Sequence, residues 1–368
     1  GGEASGPVSF MRGADSVAGM IASGGATRRA AKMVVLNIDH PDVMDFIRCK
    51  GDEEKKIRAL MAAGYDMRDL NNKAWYSIQY QNANNSVRVT DEFMKAAEQD
   101  GEWSTHYVAG GPSSTPASPR SDDRGESRGE AGKAAHTYKA RELLREIAQA
   151  AWECGDPGMQ YDTTINDWHT CPRTGRINAS NPCSEYMHVD NSACNLASIN
   201  LLKFLKPNNT FDVPAFVKAV HIIILAQEII VGSSSYPTPK IAKNTEDLRQ
   251  LGLGYANLGA LVMALGLPYD SQEARALAGA ITALMCGEAY RYSAEIARRM
   301  GPFNGFALNG EPMARVMRKH QQSIAGINKN ALHDKAILTA AAAAWKEALR
   351  EGEKYGYRNS QVTVIAPT

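Results

Sequence analysis

Charge of one sign is what this sequence has least of: 41 Lys and Arg stand against 40 Asp and Glu, leaving a formal net charge of +1. There is no global field to recruit nucleic acid or an anionic membrane, so neither is expected as a partner. Any phosphate has to be held by a local site. Paired cysteines are missing as well. Cys49, Cys154, Cys171, Cys183, Cys194 and Cys286 form no Cys-x-x-Cys pair. That removes the usual zinc and thioredoxin spacings, and no metal site is expected. So few cysteines in 368 residues do not make a secreted disulfide scaffold, and a reducing cytoplasm is the expected compartment. No uninterrupted apolar run is long enough to span a bilayer. The greasiest, Ala219 to Val231, is broken by His221, Gln227 and Glu228. The opening Gly1-Gly2-Glu3-Ala4-Ser5-Gly6 is neither a signal nor a transit peptide and carries no Met. Ile365-Ala366-Pro367-Thr368 follows directly on an apolar strand-like run, so both ends read as cut.

What is present is enough apolar residue, 44% against 22% charged, to fill the core of one large α/β domain. Met33 to Ile38 reads as a strand, short, apolar and rich in β-branched residues. Asp39-His40-Pro41-Asp42 offers a helix start that Val43 to Cys49 continues. Ser86 to Val89 is a second strand candidate, and Thr90-Asp91-Glu92 caps a helix through Ala97. Residues 109–134 are small, charged and breaker-rich, with almost nothing apolar. They are expected to be a mobile surface insertion rather than a linker, because α/β texture resumes beyond them. Lys139 to Cys154 has helical periodicity, ended by Gly155-Asp156-Pro157-Gly158. The loop-rich stretch Tyr161 to Asp190 is long for a structureless connection, and such loops are often functional. Helices are predicted over 213–231, 246–265, 271–299 and 334–354, and a last strand over Gln361 to Ile365.

The most informative segment is Asn181-Pro182-Cys183-Ser184-Glu185. In an extended loop, side chains two apart share a face, so the amide, the thiol and the carboxylate can all meet one substrate. That trio suits chemistry on a polyol: a sulfur to take a hydrogen, a carboxylate to accept a hydroxyl proton, an amide to orient a second hydroxyl. From spacing alone, a loop holding a buried, inert cysteine reads at least as well.

The same residues resemble the finger-loop motif of ribonucleotide reductases. Ser192-Ala193-Cys194-Asn195-Leu196-Ala197-Ser198-Ile199-Asn200-Leu201 is similar to the segment that carries one of that family's redox cysteines. Ser23-Gly24-Gly25-Ala26-Thr27-Arg28-Arg29-Ala30-Ala31 resembles its specificity loop. Gln81 to Val89 and Leu251 to Gly259 resemble segments of the adenosylcobalamin-dependent, class II branch. Val364 to Thr368 resembles the start of a phosphate-binding loop. The likeness spans nearly the whole chain, the insertion at 109–134 excepted.

The resemblance implies a fold, the ten-stranded α/β barrel with a central finger loop, present here as a partial barrel. Residues 1–368 are expected to be part of one catalytic barrel domain. It also implies roles. Cys183 would be the thiyl that removes the ribose 3′-hydrogen. Glu185 would take the 3′-hydroxyl proton, and Asn181 would hold a substrate hydroxyl. Cys194 would supply one of two reducing electrons as the 2′-hydroxyl leaves, with its disulfide partner upstream of Gly1. Ser5, Pro367 and Thr368 would bind substrate. Gly24, Gly25, Ala26, Thr27, Arg28 and Arg29 would form a loop between an effector nucleotide and the substrate base. The glycines there allow several backbone conformations, and the arginines can reach a base or a phosphate. Adenosylcobalamin would be the cofactor, although no Asp-x-His-x-x-Gly motif is present. The partners implied are a ribonucleotide, a nucleotide effector and a thioredoxin-like reductant, with a homodimer as the candidate assembly. S–H and ribose C–H bonds are similar in strength, so a thiyl can take a hydrogen reversibly while the protein positions it.

Other residues read more plainly. Cys49, Cys154 and Cys286 are expected to be inert core thiols. Cys171 and the flanking His169 and His188 are weak candidates for redox or metal roles. Gly252-x-Gly254 with Gly259 follows a helix-like stretch where a dinucleotide fingerprint needs a strand, so close helix packing is the expected use of these glycines. Two further readings stand beside the enzyme: a non-catalytic or split nucleotide-binding fragment that needs a partner chain, and a class I large subunit that receives its radical from a second subunit. A glycyl-radical enzyme would need a glycyl segment that the sequence does not show.

Overall fold

The computed structural model describes residues 6–20, 31–69, 72–107 and 134–367. The chain divides into two compact units, Gly1–Ile165 and Asn166–Thr368, each taken by itself.

The first unit runs α1 (Pro7–Met20), β1 (Lys32–Asn37), α2 (Val43–Ala62), β2 (Ala83–Val89), α3 (Asp91–Glu98), β3 (Glu102–His106), β4 (Ala134–Lys139), α4 (Ala140–Cys154), β5 (Gly158–Tyr161) and α5 (Asp162–Asp167), the last continuing past Ile165. β1, β2 and β5 form a parallel sheet in that order. Alternation sends Val34, Leu36, Val87, Val89 and Met159 to one face. There they meet Phe46 and Ile47 of α2 and Leu143 and Ile147 of α4. The next position on β2, Arg88, is also buried, and its charge is matched. Its Nε donates to Asp162 at 2.8 Å and its Nη1 to Gln160 at 2.9 Å. The predicted cap is in place: Thr90 Oγ1 accepts from the Phe93 amide and starts α3. β3 and β4, which the sequence did not reveal, are antiparallel arms on either side of residues 108–133. The expected insertion at 109–134 therefore lies almost wholly outside the described residues.

The second unit runs β6 (Asn195–Asn200), α6 (Val213–Ser233), α7 (Pro239–Leu248), β7 (Leu251–Ala256), α8 (Leu258–Ala264), α9 (Gln272–Met300), α10 (Phe306–Ser323) and α11 (Ala336–Tyr355). β6 and β7 pair in parallel from Asn195↔Leu251 to Asn200↔Ala256. The segment 361–364 continues this sheet. Leu251 N donates to Gln361 O, Leu253 N to Val362 O, and Val364 N to Leu253 O, at 2.8, 3.0 and 3.0 Å. The core is filled by α9 against α11, with Trp345, Leu284, Ile281 and Ala341 fully enclosed.

Two expectations change here. The helix predicted over 246–265 is broken by β7, and α10 was not foreseen. Gly252 and Gly254 serve a strand, not helix packing. A Cβ on Gly252 would sit 2.6 Å from Leu196 Cδ2, and one on Gly254 would sit 2.5 Å from the Val364 carbonyl oxygen. β7 can approach its neighbours only without those side chains. α6 is the helix expected over 213–231, with the polar residues that interrupt its apolar run inside it. It is continuous, and among the described residues it is the one helix long and apolar enough to cross a membrane. Yet Gln227 and Glu228 are buried while Ile222, Leu225, Ile229 and Ile230 are exposed. The helix turns part of its polar face inward because that face carries hydrogen-bonding work.

Candidate active site

The residues singled out by the motif lie between α5 and β6, on an ordered excursion of the second unit. Its tip is a tight turn, not the extended strand that the i, i+2 argument assumed. Ser184 N donates to Asn181 O at 3.0 Å, and Ser184 adopts φ +64°. The Asn181 side chain closes the turn as well, with Oδ1 accepting the Tyr186 amide at 3.0 Å. Cys183 is exposed at the tip. Glu185 is half-buried, and its Oε2 is enclosed without a hydrogen-bond partner. A buried acceptor without a donor is costly, and it suits an incoming hydroxyl.

Cys194 is placed by the peptides on either side of it. Ala193 N donates to Thr245 Oγ1 at 3.0 Å. Asn195 and Gln227 exchange a reciprocal pair, Asn195 Nδ2 to Gln227 O at 3.1 Å and Gln227 Nε2 to Asn195 O at 2.9 Å. Burial pushes the Cys194 thiol up to about 12, with the nearby Glu185 charge adding to the effect. At neutral pH it therefore stays protonated. Along β6, Leu196 and Ser198 are exposed and Ile199 is buried. Cys194, just before the strand, is half-buried.

Behind the turn, the chain sinks into the core. Tyr186, His188 and Val189 are buried. Tyr186 OH meets Ser192 Oγ at 2.8 Å, and its ring stacks near-parallel on His188 at 6.3 Å. His188 Nδ1 meets Gln250 Nε2 at 3.1 Å, and its Nε2 meets Ser360 Oγ at 3.1 Å. His169 is equally occupied: Nε2 donates to Gly175 O at 2.9 Å, and Nδ1 accepts from Cys171 N at 3.3 Å. Burial lowers His169 to about 4 and His188 to about 3, so both rings are neutral hydrogen-bonding struts.

The segment Arg358-Asn359-Ser360 gathers the surrounding elements. Buried Glu228 of α6 accepts from Arg249 Nε at 2.6 Å, Arg358 Nε at 2.7 Å and Asn359 Nδ2 at 2.6 Å. Asn359 also takes Ser293 Oγ of α9 on its Oδ1 at 2.8 Å. Ser360 N donates to Leu248 O, and Thr170 Oγ1 donates to Ser360 O. This hub leads straight into 361–367. Pro367 is exposed at its end. Ser5, Thr368 and the loop Gly24 to Arg29 lie outside the described residues. The flanks of that loop are tied to each other: Lys32 Nζ pairs with buried Asp15 of α1 at 3.0 Å.

The remaining thiols are quiet. Burial raises Cys49 and Cys286 to about 11 and Cys171 to about 12, and Cys154 is raised too. Thiols held protonated away from the turn are poor nucleophiles.

Parallel β-strands flanked by helices, with a turn that exposes a thiol beside a half-buried carboxylate, define an α/β class of protein with a thiol-bearing loop. The whole chain, residues 1–368, matches the ribonucleotide reductase barrel-domain family and belongs to it. It is 54% identical over 372 residues to the vitamin B12-dependent ribonucleotide reductase of Streptomyces coelicolor, covering 100% of this chain and 36% of that one. Against the protein of the same name from Rhodopirellula baltica it is 50% identical, covering 100% and 33%. Against the vitamin B12-dependent ribonucleoside-diphosphate reductase of Mycobacterium tuberculosis it is 33% identical, covering 83% and 38%. The chain thus spans about a third of the length of these relatives, and its open sheets are pieces of the family's α/β barrel.

Proposed function

We propose that the full-length protein reduces ribonucleotides to 2′-deoxyribonucleotides with a thiyl radical on Cys183 and adenosylcobalamin as its cofactor. The observation that carries the reading is the pairing of an exposed thiol at Cys183 with a buried, donor-less carboxylate oxygen at Glu185. The exposed tip is where a bulky radical source can reach a thiol, and this is how the described residues fit the cofactor. When bound, adenosylcobalamin supplies the one-electron chemistry that generates the radical.

The protein's own residues do the rest. The Cys183 sulfur takes the 3′-hydrogen, and Glu185 takes the 3′-hydroxyl proton. Asn181 Nδ2 donates to a substrate hydroxyl. Cys194 gives a proton to the departing 2′-hydroxyl, which leaves as water. A second thiol beyond this chain gives a hydrogen to C2′, Glu185 returns its proton to O3′, and the disulfide that the second thiol forms with Cys194 accounts for the two electrons delivered. The hydrogen on Cys183 then returns to C3′, restoring the thiyl. A thioredoxin-like dithiol reopens the disulfide. Pro367, Thr368 and Ser5 hold the substrate, the 24–29 loop relays an effector nucleotide, and the chain forms part of one catalytic barrel domain.

The test is deoxyribonucleotide formation by the full-length protein with a ribonucleotide, dithiothreitol and adenosylcobalamin, with no second subunit. Cobalamin-dependent product is expected. Activity only with a diiron partner subunit would move the protein to class I. No product under either condition would leave a nucleotide-binding fragment.

A further inference from the structure

We infer that His188 is a positioning residue for the Cys183 thiol, clamping the arm that returns from the turn between Gln250 and Ser360. The inference rests on the reading of Cys183 as the abstracting thiol.

The turn at 181–184 is hydrogen-bonded within itself, with Ser180 Oγ donating to Asn181 O at 2.9 Å and to Ser184 Oγ at 3.3 Å, and its apex is exposed. Its geometry is inherited through a short physical path. Asn181 Oδ1 fixes the Tyr186 amide at 3.0 Å. The Tyr186 ring lies over His188 with an interplanar angle of 10°. His188 is then held on both edges, by Gln250 and by Ser360, each at 3.1 Å. Gln250 directly precedes β7, and Ser360 directly precedes the segment that extends the same sheet, so the imidazole spans two adjacent sheet members. Ser360 is itself fixed by Leu248 O and by Thr170. One tautomer satisfies the arrangement: Nδ1 accepts from the Gln250 amide, and Nε2–H donates to the Ser360 hydroxyl. His169 packs edge-on at 5.3 Å and closes the remaining side. A hydrogen-abstracting sulfur must sit within a few tenths of an ångström of its line of approach, and about 1 Å of misplacement can cost about 100-fold. An imidazole bolted at both nitrogens, five residues from the sulfur, is placed to set that line.

The experiment uses the full-length protein with His188→Ala, His188→Gln and Ser360→Ala. Two quantities are read: the iodoacetamide alkylation rate of Cys183 by peptide mapping, and kcat and KM for ribonucleotide reduction. Cys154, half-buried in the first unit, is the internal control for general loosening. His188→Ala is expected to change the Cys183 alkylation rate by about threefold or more and to lower kcat about 10- to 100-fold, with KM moving far less. Ser360→Ala should act in the same direction and more weakly. His188→Gln, whose amide can still donate to Ser360, should recover most of the loss. Should His188→Ala not fold, the other two variants carry the comparison. Unchanged Cys183 alkylation and kcat in His188→Ala and Ser360→Ala would overturn the clamp. So would Cys183 and Cys154 rates rising together, with no rescue by Gln. If the wild-type protein makes no deoxyribonucleotide, the proposed function falls, while the alkylation contrast still decides the clamp.

Discussion

Cys183 and Tyr186 are three residues apart and live in opposite surroundings. Cys183 is exposed on a turn closed by Asn181, whereas Tyr186, His188 and Val189 are buried and hydrogen-bonded to the sheet and its hub. The two thiols repeat the contrast, since Cys183 faces out and Cys194 is half-buried with its hydrogen held tightly. An exposed thiol is carried on a return arm that is buried and hydrogen-bonded to the sheet. On the proposed reading, reach comes from the tip and aim from the buried return arm.

That division can be broken from either side. Cys183→Ala removes the tip's chemistry and should reduce deoxyribonucleotide formation to background while leaving the fold intact, because an exposed side chain packs against little. Glu185→Gln keeps the shape but loses the base, and should lower kcat by about 10²- to 10⁴-fold in steady-state assays. Gly254→Ala attacks the support instead. The new Cβ would press on the Val364 carbonyl at 2.5 Å, and backbone cannot swing aside. About 1–3 kcal/mol of destabilisation is expected in denaturant titration.

The smallest effect is on acid stability. His169, His188 and His320 are all held below their usual range by burial, at about 4, 3 and 4. Below about pH 6.5 the unfolded chain takes up protons that these buried rings refuse, so their contribution is complete above that pH. It is lost progressively as the pH falls toward 4 and then 3. A pH series of melting temperatures should show this slope flatten in His320→Gln. A slope unaltered in that variant would contradict the assignment.

The candidate site was flagged by the family resemblance of Asn181 to Glu185 and of the Cys194 segment, since the spacing of amide, thiol and carboxylate alone read equally well as a loop with an inert cysteine. Its support was not legible. His188 reads as one more scattered histidine, since its partners Gln250 and Ser360 are far along the chain. In the fold, Thr90 and Met33–Ile38 were readable because caps and β-branched runs are local signals. β7 was not, because Leu251-Gly252-Leu253-Gly254 alternates leucine with residues that have no strand preference. Its glycines answer to Leu196 and Val364, which are distant in sequence. α10 was masked by Gly310 and Pro312 inside it, residues that usually end helices. The orientation of α6 was hidden for a related reason: Glu228 is buried to meet Arg249, Arg358 and Asn359, which the local pattern cannot announce.

The most direct test of the division of labour is tritium release from a 3′-tritiated ribonucleotide by the full-length protein with adenosylcobalamin, in Cys194→Ser and Cys183→Ala. Cys194→Ser keeps the abstracting thiol and loses the reducing one, so it should release tritium to solvent without forming deoxyribonucleotide. Cys183→Ala should do neither. Tritium release by Cys183→Ala, or sustained turnover by Cys194→Ser, would contradict the account.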